Sequence, residues 1–156
     1  MKKNYWMITF GMVWTVVFAA MSFYWAMGGL IGARSLGGSI YEMALNPPRS
    51  FVIILWLTGI IKLFGLLLLS LLLLQWRKPI ISSVLFYVTK IVGIILFFYG
   101  FLNFTTITLS QFHILDFDLE LYAVLWRLLF WEPFWMIGGI FYFFSVKNSV
   151  EIRLSA

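Results

Sequence analysis

Residues 51–74 read FVIILWLTGIIKLFGLLLLSLLLL, and residues 75–79 read QWRKP. The first run carries a single charge, Lys62, and exceeds the roughly 20 apolar residues that cross a hydrocarbon core as a helix. The second is a short basic turn closed by Pro79, so the chain folds back at once and the next helix must run antiparallel. To either side lie three further apolar stretches of spanning length, at residues 5–29, 80–103 (extensible to Leu109) and 122–146. Between the first two spans, residues 30–50 are glycine-rich and end in Asn46-Pro47-Pro48-Arg49, which cannot continue a helix. The pattern predicts an all-α, polytopic membrane protein: one antiparallel four-helix transmembrane bundle over residues 1–156.

Composition points the same way. The 156 residues are 63% apolar and 11% charged, whereas about a quarter of a soluble domain is charged. Soluble and disordered classes are excluded. Lys2-Lys3 resembles the start of a signal peptide, but the apolar run that follows is far longer than an h-region of about 7–15 residues. It is expected to remain as the first helix. The chain has no cysteine, which removes disulfides, thiolate metal sites and thiol nucleophiles.

The net charge of +5 does not indicate nucleic acid, because the 11 Lys and Arg residues fall in ones and twos, most of them at the ends of apolar runs. They sort by side instead. Lys2, Lys3, Arg77, Lys78, Lys147 and Arg153 share one side; Arg34 and Arg49 lie on the other with Glu42, Asp116, Asp118 and Glu120. The excess of basic residues on the first side puts both termini in the cytoplasm. Trp6 and Trp76 then belong near the inner interface and Trp126 near the outer one, as anchors.

Hydropathy does not say which face of a lipid-embedded helix meets protein, but small and polar residues do. Those stripes are Gly11, Thr15, Ser22, Trp25 and Gly29 on the first helix, and Thr58, Gly59, Lys62 and Gly65 on the second. On the third they are Ser83, Tyr87, Lys90, Gly93 and Gly100, and on the fourth Glu132, Trp135, Gly138, Gly139 and Tyr142. Lys62 and Lys90 fall near mid-span, and antiparallel helices place them at similar depth. A lysine stem of about 6 Å does not reach an interface about 15 Å away, and a central charge costs at least about 2.5–3.5 kcal/mol. The pair therefore calls for a counter-charge or a cavity. Glu132 offers the charge, just before Pro133, where a kink is expected and could bring Arg127 round toward it. Lys62, Lys90, Arg127 and Glu132 are thus expected to share one interior space with Glu132 as the nearest acid, either as a register-fixing ion cluster or as a site. Trp25, Trp131 and Trp135 would wall it.

Other chemical signals are weak. His113 with Asp116 and Asp118 matches no metal-ligand spacing, and Asp116, Asp118 and Glu120 do not form a calcium loop. No nucleotide loop, catalytic triad or dinucleotide fingerprint is present, and the spans hold no histidine for haem. No catalytic set, metal or cofactor is expected.

Two segments carry a family resemblance: Tyr24-Trp25-Ala26-Met27-Gly28-Gly29, and Arg127-Leu128-Leu129-Phe130-Trp131-Glu132-Pro133-Phe134-Trp135 followed by Gly138-Gly139. Together they resemble a bacterial family of small four-helix membrane proteins known as domain of unknown function 3995, over nearly the whole chain. Many members carry a histidine two positions before the motif tyrosine, where this chain has Ser22. The resemblance implies four helices and a bacterial plasma membrane, and supplies no activity.

The expected function is a non-enzymatic membrane protein that holds a membrane lipid or small anionic ligand at Lys62, Lys90, Arg127 and Glu132. A small transporter or transporter subunit is an alternative, though no internal repeat favours it. An accessory or immunity-type protein acting through partner membrane helices, or a homo-oligomer, is another. A membrane enzyme using Glu132 as acid or base lacks a second catalytic group. The topology is directly testable in this cysteine-free background. Single cysteines at the N-terminus and beside Lys78 should resist an impermeant thiol reagent in intact cells, while cysteines near Ser39 and Asp118 should label. Labelling beside Lys78 from outside would reverse the orientation.

Overall fold

A computed structural model describes residues 2–112, 114–115 and 119–147; His113, Asp116, Asp118 and Arg153 lie outside the described residues. The chain forms four helical spans. Helix α1 covers Tyr5–Ala26, α3 Arg49–Leu73 and α4 Pro79–Gln111, with a short helix α2, Gly38–Leu45, between α1 and α3. The last span is composite: α5, Leu121–Trp126, leads through a π-helical turn, Arg127–Trp131, into α6, Glu132–Phe144. All four spans are long and apolar enough to cross a membrane. The protein is an all-α membrane protein.

Span ends differ from expectation where local chemistry decides. The first helix stops at Ala26 rather than Gly29, because Gly28 adopts a left-handed φ of 90° that ends a helix cheaply only at glycine. The third runs on to Gln111, and along the extension the Thr105, Thr106 and Thr108 hydroxyls donate back to carbonyls one turn earlier, so the polar side chains are bonded within the helix. Within residues 30–50, α2 was not expected. Its Ile40, Met43 and Ala44 recur at helical spacing and turn toward the bundle.

The first and last described segments meet. Lys2–Lys3 pairs antiparallel with Val146–Lys147, and the Asn4 amide donates to the Ser145 carbonyl at 2.9 Å. The Lys3 ammonium donates at 2.6 Å to the carbonyl of Leu74, at the C-terminal end of α3, where the helix dipole favours a cation. Lys3, Arg77 and Lys78 therefore gather at one end of the bundle. At the other end, Arg34 donates to Glu120 at 2.6 Å, tying the segment after α1 to the base of α5, and this bond raises the arginine pKa further.

The spans associate unequally. Helix α1 packs along α3 and α4 along α6; the pairs join where α1 meets α6, whereas α3 and α4 scarcely touch. Glycine explains the tightest seam. A Cβ on Gly93 would lie 2.6 Å from the Phe143 nitrogen and 2.8 Å from the Gly139 oxygen; one on Gly139 would lie 2.5 Å from the Phe97 nitrogen. The α4 and α6 backbones are in direct contact, as small residues permit inside lipid. The packed stripe on α4 runs Leu85, Thr89, Gly93, Gly100 and Ile107, at intervals of four, four, seven and seven residues that keep one helix face. Ser83 and Tyr87, expected on that face, point outward, and Tyr87 is 63% exposed. The α1–α6 seam is polar at two points: Thr15 and Tyr142 hydroxyls lie 2.9 Å apart, and the Trp14 indole donates to the Phe134 carbonyl at 2.9 Å.

These contacts predict graded glycine effects. Gly93→Ala and Gly139→Ala press a methyl onto rigid backbone and should each destabilise by about 1–3 kcal/mol, read as a lowered melting temperature in detergent. Gly11→Ala meets the tip of Leu69 at 3.0 Å and should cost clearly less. Equal melting temperatures for all three would contradict the α4–α6 seam.

Candidate functional site

The half of the bundle at the α2 end encloses a cavity of about 510 Å³ between α1, α2 and α3, reaching α4 at Tyr99, the π-helical turn at Trp131 and α6 at Trp135. Its volume lies in the range of ligand pockets, about 300–1,000 Å³. The wall comes mainly from apolar faces: Phe18, Trp25 and Ala26 of α1, Met43 and Ala44 of α2, and Leu55 of α3. It exists because α3 leans on α1 and leaves α4, so the space between α3 and α6 is closed only by aromatic rings.

Lys62 is the charged residue on this wall. Its ammonium donates to the Ser22 hydroxyl at 2.8 Å and lies over the rings of Phe18 and Trp135, 4.7 and 5.8 Å from their centroids. Ser22 in turn donates to the Phe18 carbonyl. Among the described residues no carboxylate pairs with Lys62; the ion pairs are Arg34–Glu120 and Arg127–Glu132. The cation is thus held by a neutral oxygen and two ring faces, each a weaker partner than an anion.

The three expected wall tryptophans all line this cavity. The Trp25 indole donates to the Ile31 carbonyl and the Trp131 indole to Ser35, both at 2.8 Å, which spends both donors and fixes the rings. Trp25 and Trp131 stand 5.6 Å apart, and Trp135 packs 4.4 Å from Phe18 and 4.7 Å from Tyr99, centroid to centroid.

The four expected charges do not share this space, and the expectation of a single cluster is corrected in two ways. Glu132 is 3% exposed and takes its bonds from Arg127, at 2.9 Å from Nε and 2.8 Å from Nη2; a longer contact of 3.4 Å joins Arg127 to Asn103. Arg127 and Glu132, five residues apart, would miss each other on an ideal helix. The π-helical turn adds one residue to the circuit and superposes them. Pro133 accounts for its position: it has no amide to bond one α-turn back, and the Glu132 amide bonds the carbonyl of Arg127, five residues earlier.

Lys90 is displaced along the bundle. Its ammonium lies 3.5 Å from the centroid of Phe143, with Phe86 and Phe144 nearby, and it does not line the cavity. Measured on α6, Lys62 is level with Trp135 and Lys90 with Phe143, eight residues or about 12 Å further along. Depth matching assumed that α3 and α4 start from one plane. The Gly93–Gly139 contact instead sets the height of α4 against α6, and carries Lys90 toward the end of the bundle where Lys2–Lys3 pairs with Val146–Lys147.

Asn103 and α2 were missed as contributors. An amide inside an apolar run must find a partner, and that signal marked Asn103; the Ile40, Met43 and Ala44 spacing marked the inward face of α2.

The class defined here is a small four-helix membrane protein with an aromatic, lysine-bearing cavity in one half of its bundle. The family model described as "Protein of unknown function (DUF3995)" matches residues 15–142, and the chain belongs to that family. No curated protein and no solved structure matches it.

The Arg127–Glu132 pair makes a separable prediction. Arg127→Met alone leaves a buried carboxylate without its cation and should destabilise by roughly 3–5 kcal/mol, whereas Arg127→Met with Glu132→Gln should recover most of the loss. Thermal unfolding of the three proteins in one detergent measures this. A double variant as unstable as the single one would contradict a mainly structural pair.

Proposed function

We propose that this chain is a non-enzymatic binding protein of the bacterial plasma membrane, with both termini cytoplasmic, whose cavity holds a ligand through an anionic group on Lys62. The observation that carries the reading is the Lys62 ammonium on a cavity wall, bonded to Ser22 and without a carboxylate partner among the described residues. A lone cation in hydrocarbon is costly, and intramembrane charges of this kind mark sites. A bound anion would offset that cost, while an empty cavity leaves it standing. Trp25, Trp131 and Trp135 supply rigid walls for the rest of the ligand. Arg127, Glu132 and Lys90 serve the scaffold in this reading: two are satisfied by each other, and the third lies at another depth. The orientation rests on the gathering of Lys3, Arg77 and Lys78 at the end where Lys2–Lys3 pairs with Val146–Lys147.

Native mass spectrometry of protein purified from its own membrane tests the reading. The wild-type chain should retain an added anionic mass that Lys62→Met loses, while Lys90→Met retains it. Loss of the adduct in both variants, or in neither, would contradict a site centred on Lys62.

A further inference from the structure

Resting on that reading, we infer that the ligand is a single-chain amphiphile with one carboxylate, of the fatty-acid class, drawn from the bilayer rather than an inorganic anion drawn from water. The donor inventory sets the headgroup. Among the described residues Lys62 is the one charged side chain on the wall, Tyr99 adds a single neutral hydroxyl, and the other side-chain donors are already engaged. Ser22 donates to Phe18, Thr58 to Leu55, Trp25 to Ile31 and Trp131 to Ser35. One ammonium suits a monoanion; a phosphate dianion would bring more acceptors and charge than this wall answers. Arg127, the nearest candidate for a second cation along the last span, is committed to Glu132.

The lining sets the body. From Lys62 toward the outer end of α3 the cavity is bounded by Thr58, Leu55, Val52 and Phe51, and it ends against Met43 and Pro47. Lys62 lies 13 residues into α3 from Arg49, about 20 Å of helix. An inorganic anion would have to shed its water and travel that apolar length unaided, at a cost no group on the path offsets. A molecule with an apolar chain fills the same length favourably. The side of the bundle between α3 and α4 supplies the route, because these helices barely meet and Tyr99 and Ile54 face the cavity from either side of the gap.

Tryptophan fluorescence of the full-length protein in nanodiscs tests this, with 9,10-dibromostearic acid as the quenching probe and its methyl ester as the control. Both quench the lipid-exposed Trp6, Trp56 and Trp126 alike, so the difference between them reports the carboxylate. The acid should reach half-quenching at a concentration about tenfold below the ester, the scale of one charge-assisted bond. Lys62→Met should abolish the difference. So should Thr58→Phe, which fills the cavity and leaves Lys62 in place; both variants are checked for wild-type helix content and monodisperse elution. Millimolar inorganic phosphate should not displace the acid. Equal quenching by acid and ester in the wild type would overturn the inference. If phosphate removes a Lys62-dependent signal, the anion site stands and the amphiphile assignment falls. If brominated phosphatidylglycerol shows the Lys62 dependence against brominated phosphatidylcholine while the free acid shows none, the single-chain assignment falls. No Lys62 dependence with any probe would remove the anion site as well.

Discussion

Inside a bilayer, helices gain nothing by hiding apolar surface from one another, because lipid is as apolar as leucine. Close contact and hydrogen bonding must hold them together instead, and the Gly93–Gly139 backbone contact is where this chain meets that demand most fully. It fixes the height of α4 against α6. Helix α1 finds its partners in α3 and, through Trp14 and Thr15, in α6. With those seams satisfied, nothing compels α3 and α4 to close on each other. The cavity is the space that this pairing leaves.

The same frame distributes the charges. A buried acid needs a cation at bonding distance, and the π-helical turn before Pro133 supplies one by superposing Arg127 on Glu132. Lys90 is carried toward the end of the bundle and covered by Phe143. Lys62 remains on the wall of the open space, steadied by a serine and two aromatic rings. Two of these charges are thus accounted for by each other and one by its position. The fourth is what gives the cavity its chemical character.

The span count and antiparallel order were legible because length and hydropathy alone determine them, and the turn at residues 75–79 leaves no alternative. The inward faces of α1 and α6 were legible for a related reason: Gly11, Thr15, Ser22, Gly138 and Tyr142 are small or polar, and all are buried. The tryptophans of the cavity could be picked out because each shares a helix face with such residues. Relative height was not legible. Two lysines equally far along their helices appear level only if the helices start level, and a glycine contact on a third helix decides that. The approach of Arg127 to Glu132 was legible from the kink that Pro133 imposes, but not the π-helical turn that superposes them, nor that the pair would close without the lysines. Helix α2 was overlooked because its short apolar run is flanked by Gly37-Gly38-Ser39 and by Asn46-Pro47-Pro48, which read as a loop.

A cryo-electron microscopy map of the full-length protein purified with its native lipids, at a resolution that separates aromatic side chains, tests the central claim most directly. Elongated non-protein density between Trp25, Trp131 and Trp135, ending at the Lys62 ammonium, is the predicted result. A map in which Lys62 pairs with a carboxylate of its own chain, or in which the α3–α4 gap is closed by side chains with no space left between those tryptophans, would contradict it.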